Sequence, residues 1–227
     1  MAARANPVFD IASAPETQTE APAAPVSALA RLAQIHAEAV DTARLANLLG
    51  RSLYATAALA ALGVAALAVG GGAASPSIAW AVLMTVGLLA SLRAYAFAIR
   101  QPFERAALQA FSQDMRASLL YAGFAWGAGA FLVLSATISG LEVVLFAALP
   151  TLAIAALLRE REAVLLFIAP AAGLSSLACA VRPISGGALA AGAVLMGCAI
   201  VAVIVEAIAR GSEKRHLAAL PRVLAAS

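Results

Sequence analysis

The sequence predicts an all-α polytopic membrane protein with six transmembrane helices, both termini in the cytoplasm and an amphipathic helix ahead of the first span. Three observations carry this. Of the 227 residues, 63% are hydrophobic and only 12% are charged, against about 45–50% and about 25% in a soluble domain. The apolar residues form long runs: no Asp, Glu, Lys, Arg or His occurs in 52–92, 117–141, 143–158, 163–181 or 183–205. Finally, the cations near these runs are distributed to one side.

A span needs roughly 20 mainly apolar residues. The first run is long enough for two, and Gly70-Gly71-Gly72 through Ser75-Pro76 divides it. The expected spans are 53–70, 77–98, 118–138, 141–158, 163–181 and 186–208. Each is continuously apolar, whereas barrel strands alternate over about ten residues. A helix also satisfies its own backbone hydrogen bonds in lipid.

The chain divides into four expected segments: a tail at 1–26, an amphipathic helix at 27–50, the six-helix domain at 51–210 and a short cytoplasmic tail at 211–227. The first holds Pro7, Pro15, Pro22 and Pro25 with no apolar core segment, so it reads as disordered and not as a signal peptide. Ser27 is an expected cap for a helix that ends near Leu49, before Gly50. Leu29, Leu32, Ile35, Val40, Ala43 and Leu48 recur at roughly helical spacing, with Glu38, Asp41 and Arg44 among the polar positions. This helix lies against the membrane or bundle, or serves as a dimerisation helix. A second amphipathic piece, 102–117, is expected to start at Pro102 and looks like an interfacial connector, although a solvated charged loop that only sets topology explains the same charges.

Orientation follows from the cations. Arg44 and Arg51 precede span one. Arg93, Arg100, Arg105 and Arg116 lie between spans two and three, Arg159 and Arg161 between four and five, and Arg210, Lys214, Arg215 and Arg222 after six. The other side holds Arg182 alone. The positive-inside rule then puts both termini in the cytoplasm. The external turns, near 71–76, 139–140 and 182–185, leave no room for an outside domain. The excess of Arg over Lys and the abundance of Ala fit a GC-rich bacterial genome, so the expected location is the bacterial inner membrane.

Candidate chemistry is sparse. Cys179 and Cys198 fall inside spans and read as buried packing residues. His36 and His216 lie outside the spans, which counts against a bis-histidine haem. No metal-ligand spacing, phosphate loop, dinucleotide fingerprint or catalytic set is present, so no catalytic, cofactor or metal residue is assigned and no enzyme is expected. Arg93 reads as an interfacial anchor, with a pair to Glu206 as its functional alternative. A contact between Glu142 and Arg182 is a further option at the outer level. Gly123 with Gly127, and Ala188 with Gly192, give small-residue spacing for close helix approach, within the chain or in a homodimer. Pro150 and Pro170 free carbonyls that Thr151, Ser175, Ser176 or neighbouring helices would satisfy.

Three features resemble the six-helix N-terminal sensory modules of some bacterial diguanylate cyclases and histidine kinases. These are the pre-helix ending Leu45-Ala46-Asn47-Leu48-Leu49, the arginine-rich loop after span two, and Ala125-Trp126-Gly127 in span three. The resemblance covers about residues 30–210. It implies a non-enzymatic sensory or regulatory module. In that family the last span feeds a cytoplasmic output domain. Here residues 210–227, including Glu213, Lys214, Arg215 and His216, hold no cyclase or kinase domain. The expectation is therefore action through a partner. Expected partners are the lipid bilayer, a cytoplasmic signalling protein and a second copy of the chain, and not nucleic acid. The alternative is a small transporter with the proline-bearing helices beside its path.

Overall fold

The computed structural model describes residues 25–70, 73–102, 104–135, 138–158, 160–184 and 186–225, with side chains described from 30 to 211 within those ranges except Leu32. The expected tail at 1–26 lies almost wholly outside the described residues. Six helices follow in order: α1 Pro25–Val69, α2 Ala74–Ala98, α3 Arg105–Leu132, α4 Gly140–Leu158, α5 Arg161–Val181 and α6 Gly187–Ala225. The chain separates into two units, Met1–Val40 and Asp41–Ser227. The described part of the first is the opening of α1, where Gln34 donates from Nε2 to Glu38 Oε1 at 3.2 Å, an i,i+4 pair on an exposed face. The second unit holds the bundle.

Three expected boundaries move. The helix begins at Pro25, ahead of Ser27, and does not stop at Gly50. Gly50 is exposed, and a Cβ placed there meets nothing within 4 Å. A glycine inside a helix costs about 1 kcal/mol relative to Ala, which long flanks absorb. Likewise, 102–117 is no separate connector: α3 starts at Arg105, with Pro102 in the preceding loop, and runs on into the third apolar segment. α6 continues past 211 to Ala225, so the expected tail is largely helical. In each case charged residues change which medium the helix faces without breaking its hydrogen bonds.

Among the described residues, five helices are long and apolar enough to cross a membrane: α1 from Ala33, α2, α4, α5 and α6 to Gly211. They place the chain in the class of multi-pass membrane proteins. Large apolar side chains stay exposed on them, including Ile78, Val82 and Leu89 on α2, Leu145 and Leu149 on α4, and Leu189, Val203 and Ile204 on α6. Contiguous apolar surface of this kind is the lipid-contact face of a bundle and a liability in water.

α3 is the sixth helix and differs in composition. It packs on α2 and α5, and its own residues Leu108, Phe111, Met115, Leu119, Ala122 and Trp126 are buried. Arg105, Gln109, Gln113, Asp114 and Arg116 fill its first half, and glycine, serine and tryptophan lower the hydropathy of the rest. Gly123 and Gly127 serve close approach. A Cβ at Gly123 would overlap the Phe167 carbonyl oxygen of α5, and one at Gly127 would stand 2.6 Å from Leu174 Cβ. The spacing is used within the chain, between α3 and α5. Ala188 and Gly192 on α6 are instead exposed, with open space at Gly192.

α2, α3 and α4 meet at an aromatic cluster. Trp80 and Trp126 are edge to face with centroids 5.6 Å apart, and Trp126 stacks on Phe146 at 5.1 Å. Both indoles are buried and both find a partner, as a dry N–H must. Trp80 Nε1 donates to the Ala125 carbonyl at 2.7 Å, reaching it across Gly129, where a Cβ would lie 2.6 Å from that nitrogen. Trp126 Nε1 donates to the Phe146 carbonyl at 2.7 Å. That carbonyl lies four residues before Pro150, which has no N–H to offer it. The partner of the freed carbonyl is thus Trp126 of α3. Thr151 instead bonds Ala147 at 2.8 Å and Ser176 bonds Gly173 at 2.9 Å, while the buried Ser175 Oγ has no partner among the described residues. α4 and α5 stay helical through their prolines.

Candidate functional site

The polar groups of the bundle gather at two ends. At one, the α4–α5 junction contributes Glu160 directly before α5. Its extended backbone (φ −104°, ψ 117°) suits an N-cap, and Oε2 accepts from Ala163 N–H at 2.6 Å. The capping bond answers one orphan donor of the helix, and the carboxylate suits the positive end of its dipole. Glu160 is 5% exposed. A buried carboxylate needs charge partners, and two helices supply them: Arg44 of α1 at 3.4 Å and Arg116 of α3 at 3.2 Å, both on Oε1. Arg116 also meets Glu162 at 2.7 Å, and Arg105 meets Asp41 at 3.7 Å.

A polar cavity of about 440 Å³ lies beside this network, lined in part by Asp41, Arg44, Gln109, Gln113, Arg116 and Glu162. The buried Arg116 Nε has no hydrogen-bond partner among the described residues. One residue further on, Arg161 pairs with Glu206 of α6, which also accepts from Arg210 Nε at 2.8 Å. Glu206 is therefore taken by two cations, neither of which is Arg93. The Arg93–Glu206 pair, the alternative to anchoring, is not made, and Arg93 is exposed on α2.

At the other end Arg182 follows α5. Its guanidinium donates to the carbonyls of Ala130 at 2.7 Å, Leu134 at 3.0 Å and Ser135 at 2.8 Å. Ala130 offers an orphan acceptor in the last turn of α3, where a cation also complements the dipole, and Leu134 and Ser135 lie in the segment just after the helix. The expected Glu142–Arg182 contact is absent. Glu142 instead accepts from the Ser139 N–H at 2.7 Å and the Ser139 hydroxyl at 3.0 Å, closing the start of its own helix.

In the apolar middle, a crevice of about 150 Å³ runs between α4 and α6 beside Val144, Ala147, Thr151, Val194, Cys198 and Val201. Thr151 Oγ1 lies 4.0 Å from Cys198 Sγ. Cys179 and Cys198 are free and buried. Among the described residues no group of three His, Cys, Asp or Glu is placed to hold a metal.

Sequence reasoning missed Glu160. Its signal was an acidic residue just before the uncharged run at 163–181, where a helix N-terminus attracts negative charge. The run Arg159-Glu160-Arg161-Glu162 enters the orientation count through its arginines alone, and alternation does not say which member turns inward.

Comparison with known proteins returns no match: no family model, no curated protein and no solved structure matches the chain. The class is therefore defined by the helices alone, a multi-pass α-helical membrane protein.

Proposed function

We propose that this protein is a non-enzymatic sensory or regulatory module of the bacterial inner membrane, acting through helix packing on a cytoplasmic partner. The observation that carries this reading is the network at the α4–α5 junction. It ties α1, α3, α5 and α6 together at one end, and there α1 and α6 continue beyond the bundle's apolar part.

In this reading all six helices cross, and both termini lie on the cytoplasmic side. α3 supports six: Arg116 meets the start of α5 through Glu160, and the carbonyl of Ala130 meets its end through Arg182. That part of α3 runs alongside the full length of a helix apolar enough to span. The cation count supports the orientation, since Arg44, Arg105, Arg116, Arg161 and Arg210 all take part in the ion pairs of the junction end.

A transport path beside Pro150 is less well supported. The crevice there is small and lined by Val, Ala, Leu and Gly with Thr151 and Cys198, and an apolar cavity of about this size stays dry. Purification of the tagged protein from crosslinked native membranes tests the reading. A cytoplasmic signalling enzyme crosslinked to α1 or α6 is expected. Recovery of the chain with no such enzyme, across growth conditions, sinks it.

A further inference from the structure

Two adjacent residues of opposite charge hold the helices on either side of the α4–α5 junction. Glu160 takes Arg44 of α1 and Arg116 of α3, while Arg161 takes Glu206 of α6. We propose that the Glu160–Arg161 dipeptide is a coupling clamp, which transmits a displacement of α1 at Arg44 to α6 at Glu206, and the reverse.

Four features support this. Glu160 is anchored, because its second carboxylate oxygen caps α5 through Ala163 N–H. It cannot follow Arg44 without disturbing the first turn of α5. Arg161 is the first residue of that turn, so it moves when the turn moves. Glu206 is held from its own helix by Arg210, which couples it to the α6 backbone. Finally, the cavity beside Arg44 leaves the α1 arm room for a second arrangement.

The clamp does not depend on strong ion pairs. Arg44 and Arg161 are each about half exposed, and such pairs are individually weak and screened by salt. Its claim concerns connection. Two distant sites with no shared partner respond independently, and sites in one network do not. The clamp stands whether or not a signalling partner exists, so its failure and the failure of the functional reading are separate results.

Amide hydrogen exchange on the full chain in lipid nanodiscs tests it, with segments 41–50 and 203–211 read by mass spectrometry. Arg44→Ala is expected to raise exchange in 203–211 by about threefold as well as in 41–50, and Glu206→Gln to raise it in 41–50 by a similar factor. Arg44→Lys, which keeps the charge, is expected to leave 203–211 near wild type. Changes confined to the mutated helix overturn the clamp. So does an equal effect of Arg44→Lys and Arg44→Ala, since packing rather than charge would then carry it. Fluorescence of the buried Trp80 and Trp126 reports whether each variant folds. Where Arg44→Ala does not, Glu206→Gln read at 41–50 decides.

Discussion

Arg182 is the one cation on the far side of the charge distribution, and its environment explains why it is tolerated there. Its guanidinium spans three carbonyls at the end of α3, so its charge is matched by a helix terminus and not by an acidic side chain. Hydrogen bonds from a charged donor are worth about 1.5–3 kcal/mol each, although those within one fork are not additive. Arg182→Ala should therefore destabilise the bundle by on the order of 2 kcal/mol in denaturant unfolding from detergent micelles. Arg182→Lys should recover only part, because an ammonium lacks the planar fork. Equal stability of Arg182→Ala and wild type would show that the contact is idle.

At the scale of elements, Pro150 and Trp126 form a pair across two helices. The proline removes a donor from the Phe146 carbonyl, and the indole of α3 replaces it. Trp126→Phe keeps the ring but leaves that buried carbonyl unmet, a cost of about 1–3 kcal/mol. Pro150→Ala offers a backbone N–H to the same oxygen. The double variant Trp126→Phe/Pro150→Ala is therefore expected to regain most of the stability lost by Trp126→Phe alone, in the same unfolding assay. If the two losses simply add, the carbonyl is not the link.

Element boundaries were the least legible part of the sequence. Gly50 and the charged residues after Arg210 read as stops and Pro102 as a start, yet α1 and α6 run across the stops and α3 starts beyond Pro102. The sequence marks where a helix leaves apolar surroundings, because side chains report the medium. It does not mark where the helix ends, because backbone hydrogen bonds persist in water when the packed part nucleates them. The proline contacts were hidden for a related reason. A freed carbonyl is visible in sequence, but the donor that meets it belongs to another helix.

At the scale of the whole molecule, topology carries the sharpest test. A phosphatase domain fused after Ser227 should be inactive in intact cells, and the same domain inserted at Ala73 should be active. Activity at Ser227 alone would reverse the orientation, and activity at both sites would overturn the six-span reading by leaving an odd number of crossings. The small-residue motifs also separate at this scale. Gly123 and Gly127 are spent on α5, so they are not free for a second copy, while Ala188 and Gly192 remain on an exposed face of α6.

The sequence by itself determined that this is an all-helical, multi-pass membrane chain. It did so because bilayer thickness and the cost of burying charge act on composition and run length, which are local properties. Only the tertiary structure decided which charges matter. Glu160 among four alternating charges, Arg182 over three carbonyls and Trp126 on Phe146 are joined across 44, 52 and 20 residues of chain. A buried group's partner is set by which helix faces it, and helix-to-helix packing between apolar surfaces leaves no pattern along a single segment.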